Sequence, residues 1–406
     1  MISLDEAQAH VFATCRPLEP ADVALAEARG LVLAADVVAP EAVPPFANTA
    51  MDGYAVRTAD TAGASEDTPV RLRVVDDLAA GRAPTRAVGP GEAIRIMTGA
   101  PVPDGADAIV MVERTRADGD DVLVHAAAQS GDHVRAIGGD VTRGQVVFER
   151  GTSLTPAHLG VLASLDVERA RVYRRARVGV ISTGDELVEH GPLQPGQIRD
   201  SNRPMLLALV AEAGCEPVNL GIARDDEDVI TERITHAVDT CDALLTSGGV
   251  SMGDYDYVKA VLERLAKERP GSAFVWWQVA IKPAKPFAFG TLGDVPVFGL
   301  PGNPVSSHVS FELFARPALR QMMGYRDGRR SEVLAQAAEP MRRRPDGKLH
   351  LDRVRVWYDG DGYRCERSGG QASNALSAMA NANGLALLPD GDGVDAGDAV
   401  RVLLLG

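Results

Sequence analysis

The sequence predicts a multidomain α/β-plus-β protein: a central α/β domain on a largely parallel sheet, β-rich N-terminal domains, and a C-terminal antiparallel sheet or barrel. Three observations carry this expectation. After Arg175 short apolar runs alternate with amphipathic segments, the pattern of strands joined by helices. On either side of that region, Val-rich runs are separated by Gly, Pro and Asp clusters, as in sheets joined by turns. The chain of 406 residues also exceeds what one hydrophobic core organises, which favours two to four domains.

Taken in order, Ser3 and Glu6 form a capping-box pattern at the start of a helix, and residues 4–43 mix helical periodicity with short Val-rich runs. Pro44-Pro45 cannot continue a helix and marks a boundary. Strands are expected at residues 70–75, 93–97 and 108–112 of a small β-rich domain. The α/β region follows, with strands at 177–182, 217–223, 243–247, 274–279, 287–291 and 295–299, and helices at 204–213, 226–240 and 306–323. Asn202 reads as a cap ahead of Pro204, Gly214 as a helix stop, and Asp225 and Asp226 as acidic caps. Beyond Gly324, strands at 349–358, 363–366, 384–388 and 399–405 alternate with Asp-Gly turns.

Composition narrows the function. With 45% hydrophobic and 24% charged residues, the chain matches a soluble globular protein rather than a membrane-spanning or disordered one. Its start lacks a basic region before an apolar run, so a cytoplasmic location is expected. Cys15, Cys215, Cys241 and Cys365 have no CxxC spacing and read as reduced structural residues. A formal charge of -14 disfavours nucleic acid as a partner, so any anionic ligand must meet a local basic pocket. No dinucleotide-binding or nucleoside-triphosphatase glycine motif is present, and His158, His236 and His308 lie in helical patterns.

Five segments can carry chemistry. Thr246-Ser247-Gly248-Gly249-Val250-Ser251-Met252-Gly253-Asp254-Tyr255-Asp256 follows a buried strand and precedes a helix, so its small residues let backbone N–H groups approach phosphate oxygens. The bland alternative is a glycine-rich turn with a hydroxyl cap, but the carboxyl end of a strand in an open α/β sheet favours a ligand. Ser182-Thr183-Gly184-Asp185-Glu186-Leu187 ends the first strand of the same region, and Asp185, Glu186 and Asp256 facing phosphates imply a bridging cation. Magnesium suits such oxygen donors; capping by Asp185 with a solvated Glu186 is the competing account.

Lys282-Pro283-Ala284-Lys285-Pro286 spaces two ammonium groups with rigid prolines, which suits an oxyanion or diphosphate, although exposed lysines are usually just solvated. Pro301-Gly302-Asn303-Pro304-Val305-Ser306-Ser307 joins a strand to a helix and offers a second anion site, or else a stiff turn with an N-cap serine. Finally, residues 45–55 hold Asn48, Thr49 and Asp52 in a loop bounded by Pro and Gly, a common setting for site residues.

Together and in this order, these segments resemble the MoeA and gephyrin E-domain family of molybdenumtransferases. The matching runs are residues 44–57, 95–108, 182–187, 246–256, 282–290 and 299–307, with Ala50-Met51-Asp52-Gly53-Tyr54-Ala55 and Arg95-Ile96-Met97-Thr98-Gly99-Ala100-Pro101 the most specific. The resemblance implies a four-domain protomer with a molybdopterin-binding α/β domain and a C-terminal β-barrel. The parts would be residues 1–46 with 139–175 as an elongated dimerisation region, 47–138, 176–325 and 326–406. It implies a head-to-tail homodimer that takes adenylyl-molybdopterin and molybdate as substrates, releases AMP with Mg2+ assisting, and can dock a molybdopterin adenylyltransferase.

On matching positions, Asp52 and Thr98 of one subunit would face Glu186, Asp225 or Asp226, and Asp256 of the other, with Glu186 and Asp256 as metal ligands. Ser247, Gly248, Gly249 and Ser251 would cradle phosphate. Lys282 and Lys285 would hold pyrophosphate or molybdate, and Pro301, Pro304 and Ser306 would shape the oxyanion pocket. A serine-rich run of the family is matched only loosely by Ser373-Asn374-Ala375-Leu376-Ser377. Two other functions compete: molybdopterin adenylyltransferase, which shares the TSGG loop but needs neither flanking region, and a gephyrin-like scaffold, which needs a peptide groove or a fused domain.

Overall fold

In the computed structural model, which describes residues 1–248 and 257–406, the chain divides into two units. One comprises Val23–Arg29 and Ala35–Ala170, the other Met1–Asp22, Gly30–Ala34 and Arg171–Gly406.

The first unit is built on a six-stranded mixed sheet in the order Ala108–Met111, Gly53–Val56, Glu92–Ile96, Val70–Leu78, Asp121–Val124, Thr115–Asp118. Alternation along Gly53–Val56 sends Tyr54 and Val56 into one core with Leu72 and Val122, and Ala55 into another with Ile94, Ile96 and Ile109. Gly53 is required there, because a Cβ would lie 2.1 Å from the Val110 carbonyl oxygen.

The second unit begins with α1 (Leu4–Thr14), whose capping box forms as the sequence predicts: Glu6 N donates to Ser3 Oγ at 3.2 Å and Ser3 N donates to the Glu6 carboxylate at 2.8 Å. Its sheet consists of β1 (Arg177–Thr183), β2 (Glu216–Ala223), β3 (Ala243–Ser247), β4 (Ala273–Gln278), β5 (Pro286–Leu292) and β6 (Val295–Leu300), in the order β2-β1-β3-β6-β5-β4. The sheet is mixed: β5 is antiparallel to both its neighbours, so one strand runs against the other five.

Helices α2 (Asn202–Glu212), α3 (Glu227–Thr240), α4 (Tyr257–Glu268), α5 (Pro304–Ser310) and α6 (Arg316–Met322) complete the α/β region. Val178, Val180 and Leu245 face the core that holds α2, α5 and α6, whereas Ile181 and Leu244 face the core of α3 and α4. The expected helix at 306–323 starts at Pro304 instead, since proline's fixed φ suits a first helical position. It is interrupted by a π turn at Phe311–Ala315, which ends two residues before Pro317, a residue with no N–H to donate back along the helix.

The C-terminal part closes as a five-stranded barrel of β7 (Glu332–Ala337), β8 (Leu349–Tyr358), β9 (Tyr363–Arg367), β10 (Gly384–Leu388) and β11 (Ala399–Leu404). Its order is β8-β9-β7-β11-β10, with β10 pairing back to β8. The sequence reading expected antiparallel pairing, but β7 and β9 run parallel. Closure removes free edges, and the interior is narrow enough to be filled by Ala335, Ala337, Ala386, Val354, Cys365 and Val402. Among the described residues, no helix is long and apolar enough to cross a membrane.

Candidate active site

Strand register brings most of the candidate segments to one edge of the α/β sheet. Thr183 pairs with Ala223, Ser182 with Ser247, and Ser247 with Leu300, so the loops after β1, β2, β3 and β6 leave the sheet side by side. Antiparallel β5 enters at that same edge, because Ala288 pairs with Gly299 and the strand starts two residues earlier at Pro286. The segment 282–285 therefore arrives beside the loops that carry Ser247 and Pro301.

Within this edge, Gly248 has φ +98°, and a Cβ there would lie 3.3 Å from both the carbonyl and hydroxyl oxygens of Thr183, so the loop after β3 sits against the end of β1. Gly248 N donates to Leu300 O at 3.1 Å. The Glu186 carboxylate folds back over Gly184, whose added Cβ would come within 2.5 Å of it. Asp185 and Asp225 each accept the other's backbone N–H, at 3.3 and 3.4 Å, and so tie the β1 and β2 loops together. Asp226 is the N-cap of α3, accepting from Asp228 N and Val229 N at 2.9 and 3.0 Å. That cap commits one Asp226 oxygen to the helix and leaves Glu186, Asp185 and Asp225 as the carboxylates facing the loops.

Beneath the loops lies a set of buried polar groups. Asp200 Oδ1 accepts from Ser182 Oγ and from Arg203 N, each at 3.1 Å, and Oδ2 accepts from Arg203 Nε at 2.9 Å. Asn202, expected to be a cap, occupies the first turn of α2 with Ser201 in the cap position, and its side chain turns instead towards Ser247 and Gly302.

Lys282 lines a cavity of about 360 Å³ between the α/β region and the barrel, together with Pro283, Arg342, Arg343, Arg344, Arg353, Arg367, His350, Gln371, Asp346 and Asp352. The peptide before Pro283 is cis, and Ile281-Lys282 adds in parallel to Leu349-His350 of β8. Arg353 is 1% exposed; its guanidinium donates to Gly370 O and Ala372 O at 2.9 and 3.0 Å, and its Nε has no partner among the described residues. Ser373 O in turn accepts from Val305 N of α5 at 3.2 Å, so the loosely matched serine run adjoins the 301–307 turn. Burial, with the positive charges of Arg343 and Lys282, holds His350 below the ordinary histidine range against the opposing hydrogen bond to Asp346.

In the other unit, the Thr98 backbone N–H and hydroxyl both donate to Asp52 Oδ1 at 2.7 Å. These bonds, the backbone one foremost, hold the Asp52 carboxyl below its usual range, with Arg95 contributing. Asp52 and Thr98 are thus neighbours.

Of the residues singled out in the sequence, Glu186, Asp225, Ser247, Gly248, Pro301, Pro304, Ser306 and Lys285 lie on or next to the sheet edge, while Lys282 faces the barrel cavity. Gly249, Ser251 and Asp256 lie outside the described residues. Asp200, Asn202 and Arg353 were missed. A signal existed for Arg353: Asp352 and Arg353 are adjacent charges inside an otherwise alternating strand, a setting where charge is seldom buried without a purpose.

A mostly parallel sheet with glycine loops and carboxylates at one edge, joined to a closed barrel across a cavity rich in arginine, defines an α/β-plus-barrel protein whose sheet edge suits an anionic ligand. Three family models match: "MoeA N-terminal region (domain I and II)" over residues 2–165, "Probable molybdopterin binding domain" over 179–321, and "MoeA C-terminal region (domain IV)" over 335–405. The chain is 43% identical over 96% of its length to molybdopterin molybdenumtransferase 2 of Mycobacterium tuberculosis, covering 96% of that protein. It is 36% identical to the molybdopterin molybdenumtransferase of Haemophilus influenzae, over 99% of this chain and 98% of the relative. The crystal structure of the molybdopterin biosynthesis MoeA protein from Pyrococcus horikoshii OT3 superposes with a TM-score of 0.82 at 30% identity, covering 100% of each chain. The chain belongs to the MoeA family of molybdopterin molybdenumtransferases, enzymes of molybdenum cofactor biosynthesis.

Proposed function

We propose that the enzyme takes adenylyl-molybdopterin and molybdate, inserts molybdenum at the dithiolene and releases AMP. The observation that supports this reading is the pairing of two anion-binding environments at one sheet edge: glycine and hydroxyl loops at Ser247-Gly248 and residues 301–306, and the arginine-rich cavity at Lys282. The first suits a phosphoanhydride and the second a compact tetrahedral dianion. Cleavage joins a water oxygen to phosphorus as the bridging P–O bond breaks, and the two dithiolene thiols replace two oxygens of molybdate, which leave as two waters by taking the two thiol protons and two protons from solvent. Catalysis rests on positioning and electrostatics, with no covalent protein intermediate.

Ser247, Gly248, Pro301, Pro304 and Ser306 bind the phosphate end, while Lys282, Lys285 and the cavity arginines hold molybdate. Glu186 bears the cation with Asp256, which lies outside the described residues, while Asp225 sits on the neighbouring loop and Asp226 serves as a helix cap. The donor chemistry fits Mg2+, since these are hard carboxylate oxygens. Mg2+ commonly takes one or two carboxylates and completes its shell with phosphate oxygens and water. When bound it neutralises charge on the phosphoanhydride.

The reading includes a cytoplasmic homodimer that shares its sites, with Asp52 and Thr98 of one subunit serving the other, and docking of a molybdopterin adenylyltransferase. Exposed Phe46 and Met51 beside Asp52 support an apolar interface there. It also includes the four-part division at residues 46/47, 138/139, 175/176 and 325/326; the gaps between the family models, at 165–179 and 321–335, support the last two of these boundaries.

The test is AMP release and cofactor formation from purified adenylyl-molybdopterin with molybdate and Mg2+. Wild type should release AMP in a molybdate-dependent way, and Asp52→Ala and Glu186→Ala should each lose roughly 100-fold or more. A folded wild type that releases no AMP would overturn the assignment in favour of the adenylyltransferase or scaffold reading.

A further inference from the structure

One side chain joins the two phosphate-side loops. Asn202 is 8% exposed, and its Nδ2 donates to Ser247 Oγ at 2.8 Å and to Gly302 O at 2.6 Å. A carbonyl oxygen can only accept, so the contact with Gly302 fixes which way the amide faces. Both amide hydrogens are thereby used, and Oδ1 is buried without a donor among the described residues.

This orientation decides the polarity of Ser247. Because Asn202 donates to it, Ser247 Oγ is the acceptor in that bond, and its own O–H hydrogen is left over. Ser247 is 3% exposed, and among the described residues its hydroxyl hydrogen meets no acceptor at the end of β3. The base of the clamp is stiff. Asp200 and Arg203, on either side of Asn202, pair with side chains that are 1% and 5% exposed, and Asp200 also takes the Ser182 hydroxyl from the end of β1.

We propose that Asn202 is a positioning residue of the phosphate cradle. It holds the Ser247 and Gly302 loops at one spacing, and by donating to Ser247 Oγ it commits the Ser247 hydroxyl to donate to a phosphate oxygen of the bound pterin nucleotide. Asn202 itself touches no reacting atom. The assignment rests on the site reading given under Proposed function and adds a residue and a direction of hydrogen bonding to it.

The test is a double-mutant cycle of Asn202→Leu and Ser247→Ala, read as KM for adenylyl-molybdopterin, kcat for AMP release, AMP affinity by calorimetry, and the thermal midpoint. Each single change should raise KM and weaken AMP about 10-fold, the size of one hydrogen bond to a charged group. In both, kcat should stay within about two-fold, and the double variant should be no more than about two-fold worse than Ser247→Ala, because the two act as one unit. A purely structural Asn202 would lower the thermal midpoint without this split, and its effect would add to that of Ser247→Ala. Additive effects, or an unchanged KM in either single variant, overturn the proposal. If Asn202→Leu does not fold, Asn202→Asp replaces it: its carboxylate captures the Ser247 O–H, so KM should rise at least as far as in Ser247→Ala, and an unchanged KM is again fatal. Wild type in the same assay separates the two claims, since an inactive wild type sinks the site reading, whereas an active wild type with unaffected variants sinks only the role of Asn202.

Discussion

The carboxyl edge of the α/β sheet and the cavity under the barrel meet at the segment 282–285, yet they are built in opposite ways. At the edge, the groups gathered are glycine backbone, hydroxyls and the carboxylates of Glu186 and Asp225, set on loops. In the cavity they are mainly basic side chains, Arg353 and Arg367 on barrel strands and Lys282 and Arg342 to Arg344 outside them, beside Asp346 and Asp352, in a chain whose formal charge is -14. On the function proposed above, the contrast is the means by which an acidic protein handles two anions. A phosphoanhydride that carries its own cation tolerates carboxylates nearby, whereas a bare oxyanion needs fixed positive charge in a partly enclosed site.

The largest effect that could break this comparison is expected at Gly248. At φ +98° and with Thr183 oxygens 3.3 Å from a prospective Cβ, Gly248→Val strains the backbone and pushes the β3 loop off the end of β1. The kcat/KM for adenylyl-molybdopterin should fall roughly 100-fold, the scale of losing a positioned donor. Molybdate affinity, measured by calorimetry, should stay within about two-fold if the two regions are energetically separate. A parallel loss of molybdate binding would mean that they are one site.

The cavity side yields a smaller but reciprocal prediction. Arg353→Met keeps the apolar stem but leaves the carbonyls of Gly370 and Ala372 without their donor, which should cost about 2 kcal/mol of stability in denaturant unfolding. Molybdate should bind about 10-fold more weakly, with KM for the pterin nucleotide unchanged. A rise in that KM instead would assign Arg353 to the phosphate side.

The two regions were unequally legible in the sequence. The edge could be read because its signals are local: TSGG after an apolar run, PGNP before a helix, and STGDE at a strand end. Barrel strands such as Leu349–Tyr358 and Gly384–Leu388 were bounded correctly because alternation with Asp-Gly turns is also local. The direction of β5 was not legible, since hydrophobic periodicity marks a strand but not which way it runs, and β7 was passed over because its Ala and Gln give little strand signal. The Asp200–Arg203 pair and the Asn202 clamp were missed for a different reason. Ser247 and Gly302 lie 45 and 100 residues from Asn202, so only the closed sheet edge reveals that an apparent helix cap binds two loops.

His350 gives the smallest and most discriminating effect, because protonating it moves two measurements in opposite directions. It is 7% exposed, lines the cavity with Lys282 and is held below the ordinary histidine range chiefly by burial. A group whose folded pKa is depressed contributes stability that is present above its unfolded value, about 6.5, and is lost as pH falls through the folded value. Without ligand, the thermal midpoint should therefore decline as the medium is acidified. Molybdate favours the charged imidazolium, so binding takes up a proton and its affinity should rise a few-fold from about pH 7.5 to about pH 5.5. Replacing His350 with Gln should flatten both slopes. If the affinity slope survives that change, the titrating group lies outside the cavity; if affinity falls on acidification, the anion does not bind beside His350, and the division between a carboxylate edge and a cationic cavity would have to be redrawn.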